Sequence, residues 1–464
     1  MSEIEAEARD QADAPESPEA LDAHRIGQIL AATASGDRNR LADHLDDLHP
    51  ADIADLLEQV SEDERSDILA LWAGEGVGDV LSELDEHLRE EVIDQIDPEA
   101  LGEAVRELET DDVVDLVEDL EDDQKEVILD ALEAHDRIAV QQALGYPEGS
   151  AGRLMQSNVV SAPEHWSVGE AIDFMRAHDD LPEQFYHVIL VDPRMHPVAN
   201  VTLGRILSSR RDVKLIDIVE DVFRTIPVTE PEDEVAYAFN QYHLISMVVV
   251  DEDGRLAGAI TIDDAMTVMD QENEEDMLRL AGVSEEESLS DGVFGTVRAR
   301  LPWLAVNLLT AIIASLVIAQ FDEALSRVVA LAVLMPIVAS MGGNAGTQSL
   351  TVAVRALATK DLTSSNMMRV IRREAMVGLL NGLFFAVVMG IVGMVWFGLP
   401  MLGAVIAAAM VINLLCAGLA GILIPVVLER VRFDPALASG TFVTTVTDVV
   451  GFFAFLGLAS IVLL

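Results

Sequence analysis

Five long apolar stretches, at about 301–321, 328–357, 375–397, 402–428 and 436–463, fill the last third of this 464-residue chain. A helix needs roughly 20 apolar residues to cross a hydrocarbon core of about 30 Å. Inside that core every backbone N–H and C=O must find its partner within the segment. The stretches therefore predict five membrane-crossing α-helices. The rest of the chain has the opposite character. Half of all residues are hydrophobic, yet the formal net charge is −52, and most of the carboxylates precede residue 293. An acidic, water-exposed part is followed by a membrane part.

Basic residues set the expected orientation. Arg298 and Arg300 precede the first stretch; Arg355, Lys360, Arg369, Arg372 and Arg373 separate the second from the third; Arg430 and Arg432 separate the fourth from the fifth. The connections on the opposite side hold only Arg327. The N-terminus is therefore expected in the cytoplasm and the C-terminus outside, in a multi-pass protein of the plasma membrane. The opening MSEIEAEARDQADAPESPEA is acidic and lacks an apolar h-region, so residues 1–25 read as a disordered tail rather than a signal or transit peptide. Cys416, the single cysteine, sits in an apolar run, which excludes a disulfide scaffold or a zinc cluster. An acidic surface repels phosphates, which argues against a nucleic-acid partner. Lysine is confined to Lys125, Lys214 and Lys360, and this balance resembles that of salt-adapted prokaryotic proteins. In so acidic a chain most carboxylates are solvated surface groups.

The second and fifth apolar stretches are the ones interrupted by runs of polar residues. The second contains MGGNAGTQS, residues 341–349, which reads as a flexible, amide-rich interruption. Gly342, Gly343 and Gly346 permit a kink or a close helix approach, while Asn344, Thr347 and Gln348 offer groups to water or a hydrated ion. A small-residue packing face is the alternative. The fifth stretch holds a lone carboxylate, Asp448, preceded by Thr441, Thr444, Thr445 and Thr447. Thr444 and Thr441 stand four and seven residues before Asp448, on its helix face. An ionised residue at the bilayer centre costs about 2.5–3.5 kcal/mol on insertion scales, so it should face a cavity or a partner. A carboxylate with no basic residue at its depth suits a cation; a protonated Asp448 bonded to a neighbouring helix is the alternative. Mg2+ dehydrates reluctantly and is held through one or two carboxylates with its waters retained. The same segments lack His and Cys, so they do not suit a soft metal.

Upstream, ADIADLLEQVSEDERSDIL (51–69) and DDVVDLVEDLEDDQKEVIL (111–129) align without gaps, with Ile53/Val113, Leu56/Leu116 and Ile68/Ile128 at matching apolar positions. Short helices at a regular offset suggest a superhelical solenoid. Residues 150–270 read twice as strand, helix, strand, strand, helix. HVILVD and SMVVVD mark the central strands, and Asp253-Gly254 marks a hairpin turn. There is no P-loop and no nucleophile–base arrangement, so no enzyme is expected.

The pairing of PIVASMGGNAGTQS with DPALASGTFVTTVTDVVG resembles the membrane domain of the MgtE family of magnesium channels and transporters, and the likeness extends over nearly the whole chain after the tail. It implies a homodimer with five spans per subunit and a pore between subunits. Asp448 of each subunit would hold hydrated Mg2+, with Thr444 and Thr445 shaping the filter; Asn344, from the reading of 341–349 above, completes the candidate pore residues. Proline is usual in the family where this chain has Thr441. The doubled strand–helix pattern resembles a tandem of CBS domains. Such pairs often bind ATP or another adenine nucleotide, which points to Thr261 and Asp264 as ribose contacts; the first copy has Arg205 in place of the acidic residue. The family also implies cytosolic Mg2+ ligands at Asp264, Glu272, Glu275, Asp276 and Asp233, while Thr267 stands where another ligand would be. Spacings of three and four put Glu272, Glu275 and Asp276 on one helix face.

The expected organisation is thus multidomain: an acidic tail (1–25), an all-α superhelical domain (26–148), an α/β pair of CBS domains (149–210 and 211–270), a connecting plug helix (271–297) and a polytopic α-helical membrane domain (298–464). The expected function is Mg2+ uptake, closed by cytosolic Mg2+. A carrier of Co2+ or Mn2+ on the same scaffold, and a membrane-anchored nucleotide sensor, are the alternatives.

Overall fold

A computed structural model describes residues 21–464, except 73–75, 97, 107, 119, 121, 179–180, 183–184, 285–292, 432 and 437–438. The tail expected over 1–25 lies, up to residue 20, outside the described residues. The chain divides into two compact units, 1–269 and 270–464.

The first unit opens with ten short helices among its described residues: α1 (Ala23–Ala34), α2 (Arg38–Leu45), α3 (Pro50–Gln59), α4 (Glu62–Leu71), α5 (Val77–Glu83), α6 (Glu86–Gln95), α7 (Pro98–Ala104), α8 (Thr110–Glu118), α9 (Asp122–Ala131) and α10 (Ala134–Ala143). The repeat seen in the sequence is real in space. α3–α4 and α8–α9 are equivalent pairs, and Ile53, Leu56 and Ile68 are buried just as Val113, Leu116 and Ile128 are. All six belong to one apolar core. Local signals delimit the helices: Ser61 and Glu64 close a capping box at the start of α4, which ties off backbone donors that the first turn cannot satisfy.

Two three-stranded sheets follow, β1 (Ser161–Pro163), β2 (His187–Val191), β3 (Pro197–Thr202) and β4 (Thr225–Pro227), β5 (Ser246–Val250), β6 (Leu256–Thr261). In each the first strand runs parallel and the third antiparallel to the middle one. Each middle strand is buried because a helix packs over it: α11 (Val168–Ala177) with the short α12 (Leu203–Ser208) in the first copy, and α13 (Glu232–Tyr242) with α14 (Ile262–Ala281) in the second. Gly254 takes a φ of +78° in the β5–β6 turn, the left-handed conformation that the Asp-Gly pair predicts.

In the second unit, five helices are long and apolar enough to cross a membrane: α15 (Val293–Ala319), α17 (Ala330–Ala358), α18 (Met367–Phe397), α19 (Pro400–Arg430) and α20 (Ser439–Leu463). A single short helix, α16 (Asp322–Arg327), joins the first two. α19 is the central post, with half of its most apolar window buried against 6% for α15.

The structure corrects the expectation for residues 341–349. They do not interrupt the helix; α17 is continuous through them. The glycines serve close approach. A Cβ on Gly421 of α19 would lie 2.5 Å from the Gly346 carbonyl oxygen, and one on Gly346 would lie 2.4 Å from Val443 Cγ1 of α20. The α18–α19 contact works the same way at Gly378, Gly382 and Gly403. Lipid tails offer helices no hydrophobic gain on association, so backbone-to-backbone packing at small residues takes its place.

Candidate functional site

Asp448 sits near the middle of α20 and is half-buried. Among the described residues no basic side chain forms an ion pair with it; the ion pairs found in the second unit join other groups. The threonines before it bond along their own helix. Thr444 Oγ1 donates to the Thr441 carbonyl at 3.1 Å, Thr445 Oγ1 to the same carbonyl at 2.6 Å, and Thr447 Oγ1 to the Thr444 carbonyl at 3.0 Å. Thr447 is fully buried, but at the half-buried Thr444 and Thr445 the spent proton leaves only oxygen lone pairs to offer, the polarity a cation needs. Thr441 Oγ1 instead donates to Asn307 Oδ1 of α15 at 2.8 Å. It is buried, so it joins α20 to the first span rather than lining an open face.

α17 has two faces. Gly342, Gly343 and Gly346 are buried, and Gly343 lies against the Thr444 methyl of α20. Ser340, Asn344, Thr347, Gln348 and Thr351 are exposed, at helical spacings that make one polar stripe. Thr347 Oγ1 lies near Gly440, so the stripe adjoins the start of α20. Asn344 is therefore presented outward from the chain, as Asp448 partly is. The sequence reading named these residues but could not assign them to faces.

In the first unit, Asp264 opens α14. Its Oδ2 accepts from Thr261 N at 3.2 Å and from Thr261 Oγ1 at 2.5 Å. The two residues named as ribose contacts thus hold each other, closing the helix N-terminus. In the first copy, Arg205 Nη1 donates to the Val219 carbonyl at 2.6 Å and its Nε pairs with Glu220 at 3.2 Å, while Thr202 also donates to Glu220. Asp233 is exposed in the first turn of α13.

Beside Asp264 stand Asp111 and Asp112 of α8, which the sequence reading missed. Asp111 is 7% exposed and its Oδ1 has no hydrogen-bond donor among the described residues. Burial pushes its acid well above the ordinary carboxylate range, with the Asp264 charge the next cause. Burial likewise lifts Asp264 to about 7 and Asp112 to about 6. A buried acceptor with no donor, among carboxylates that repel one another, is a place a divalent cation would satisfy. The only sequence signal was that Asp111 replaces Ala51 in the repeat alignment, which reads as an ordinary acidic first turn.

These shifts have a pH consequence. A carboxylate whose folded-state pKa is raised keeps a proton that the unfolded chain has lost. Without divalent cations, stability near α8 therefore falls as pH climbs from about 4 to about 7. Amide exchange of α8 in chelator, corrected for intrinsic rates, is expected to be faster at pH 8 than at pH 5.5, and Asp111→Asn should remove most of the difference. Slower exchange at pH 8 would contradict it.

The remaining predicted ligands lie in the second unit, at the end of α14. Arg279 pairs with Glu275 at 2.9 Å and with Asp434, just before α20, at 2.6 Å. Asp434 Oδ1 also accepts from Ala436 N at 2.7 Å. Asp276 lies beside Asp434, and its acid is raised by burial and then by that charge. Leu280 packs with Leu350 and Val354 of α17 and Ala436 and Val443 at the start of the last span. Arg279, which spacing alone did not single out, thus ties Glu275 to the segment leading into α20, and Asp276 lies beside the same Asp434. Residues 285–292 of the expected plug helix lie outside the described residues.

Residues 335–458 match the divalent cation transporter family MgtE, 48–149 its intracellular N domain, and 151–212 and 215–271 the CBS domain. The chain is 32% identical to the magnesium transporter MgtE of Thermus thermophilus over 94% of its own length and 98% of that protein's. Its identity with the magnesium transporter MgtE of Bacillus subtilis is 29%, over 90% and 92%. A solved cytosolic domain of the Mg2+ channel MgtE in complex with ATP is 26% identical, covering 52% of this chain and 99% of that one, with a TM-score of 0.49.

Proposed function

Because the chain belongs to the MgtE family of magnesium transporters, a multi-pass membrane family, we propose that it is a Mg2+-selective channel, built as a homodimer and closed by cytosolic Mg2+. The observation that carries this reading is the outward polar stripe of α17, Asn344, Thr347 and Gln348, on the helix that packs against α20, the helix that carries the half-buried Asp448. Hydrocarbon cannot solvate amides or a carboxylate. A second copy, apposing its own stripe, would enclose them in a hydrated passage. Two Asp448 carboxylates there would hold Mg2+ through its retained waters, with Thr444, Thr445 and Asn344 offering oxygen acceptors. In this reading the helical and CBS regions face the cytoplasm of the plasma membrane and the C-terminus faces outside.

Closing would follow from carboxylates that bind Mg2+ better in one arrangement, since a ligand shifts an equilibrium only by its differential affinity. Asp111, Asp112 and Asp264 support a sensing role, and an adenine nucleotide could reach Thr261 and Asp264 only by replacing their mutual hydrogen bonds. The Arg279–Asp434 pair supports a link from α14 to the pore helices.

Mg2+ uptake into proteoliposomes, with Co2+ and Mn2+ as competitors, tests the proposal. Uptake that survives equimolar competitors supports it; preferential uptake of Co2+ or Mn2+ overturns the choice of ion. The link has its own test. Asp434→Asn leaves Arg279 half-neutralised and should raise the cytosolic Mg2+ needed for half-closure about tenfold, the effect of losing ~1.4 kcal/mol. An unchanged closing concentration removes the pair from gating.

A further inference from the structure

Asn413 is 0% exposed, in the most buried span, and an amide there needs a reason. Its Nδ2 donates to the Val338 carbonyl of α17 at 2.7 Å. That carbonyl can only accept, so the orientation of the amide is determined. Its Oδ1 has no donor among the described residues. An unpaired buried acceptor has lost its water without gaining a donor, and an apolar side chain of the same shape would avoid that cost.

Its surroundings supply the reason. A Cβ on Gly342 of α17 would lie 2.2 Å from Asn413 Nδ2, and a Cβ on Gly451 of α20 would lie 2.8 Å from the same atom. One amide is thus wedged between two bare backbones. Gly342 stands two residues before Asn344, and Gly451 three residues after Asp448. The wedge touches both stripe-bearing helices within about one turn of the groups proposed to face the ion.

We infer that Asn413 is a positioning residue for cation selectivity: from behind, it sets the spacing between α17 and α20, and so between the Asn344 stripe and Asp448. The inference rests on the reading of Asp448 as a pore residue. Mg2+ keeps a rigid octahedral shell, whereas Ca2+ takes six to eight ligands at longer, variable distances. A passage held at one width admits the first and disfavours the second. A slack passage loses that distinction.

The experiment is the Mg2+/Ca2+ flux ratio in proteoliposomes for the full chain and for Asn413→Ala, Asn413→Leu and Gly342→Ala. The first two err in opposite directions of volume, and the third displaces the amide without removing it. A ratio at least tenfold lower in any variant that elutes like the parent protein supports the inference. Fluxes of both ions that fall in proportion, or do not change, overturn it, because packing alone would act through the amount of folded protein. Asp448→Ala, run alongside, separates the two readings. If it leaves flux intact the pore reading fails; if it stops flux while the ratio holds in the Asn413 and Gly342 variants, only the positioning role fails.

Discussion

Asp448→Ala is expected to cut Mg2+ uptake by proteoliposomes at least about 100-fold while leaving the protein folded. The carboxylate stands in a membrane-spanning helix with no ion-pair partner among the described residues. Holding a charge at that depth costs about 2.5–3.5 kcal/mol on insertion scales. The cost is tolerable only if water or a cation offsets it in the working protein. A divalent ion crossing the same depth meets a larger penalty, and Asp448 is the one carboxylate of α20 that can reduce it. Losing about 3 kcal/mol of that stabilisation corresponds to roughly two decades in occupancy. Thermal stability should hold or rise, since the substitution removes a half-buried polar group with no ion-pair partner among the described residues. Asp448→Asn keeps the shape and loses the charge, so it should lose nearly as much flux. Full uptake by either variant would place the passage elsewhere.

Gly421→Val is expected to abolish recovery of folded protein from the membrane. A Cβ at this position would stand 2.5 Å from the Gly346 carbonyl oxygen, 2.7 Å from Ser349 Cβ and 2.9 Å from Leu350 N. Two of these neighbours are backbone atoms inside α17, which cannot swing aside as the end of a side chain could. α17 must move as a body, away from α19 and with its face toward α20. Overpacking a good core costs about 1–3 kcal/mol, and a backbone clash of this depth should exceed that range. Gly27→Ala is the control: nothing lies within 4 Å of its Cβ in α1, and alanine favours a helix interior by about 1 kcal/mol over glycine. Equal yields of the two variants would show that α17 and α19 do not pack through Gly346 and Gly421.

Much of the architecture was legible because it is written in periodicity. The ungapped repeat of 51–69 in 111–129 identified a solenoid, and its matched apolar positions are buried in both copies. The doubled strand pattern identified two like sheets, down to the Asp253-Gly254 turn. Segment 341–349 reads as an interruption because amides are rare in apolar runs; the helix is continuous, and of the two roles its glycines offered, a kink or a close helix approach, the second holds. In a membrane helix glycines and amides make two good faces, one for packing and one for water.

The chain's order of apolar and charged residues, by itself, determined that five helices are long and apolar enough to cross a membrane, that an acidic region precedes them, and that Asp448 and Asn344 are out of place in lipid. These are local properties, because burial in a helix or strand depends on what recurs every two to four residues. Tertiary structure alone decided which groups meet. Asn413 reaches Val338 across 75 residues and Arg279 reaches Asp434 across 155; Asp111 feels the charge of Asp264 only because the fold brings the starts of α8 and α14 close. No spacing along the chain encodes such meetings. They arise when the apolar faces of distant helices are buried together, and the polar groups on their flanks are brought along.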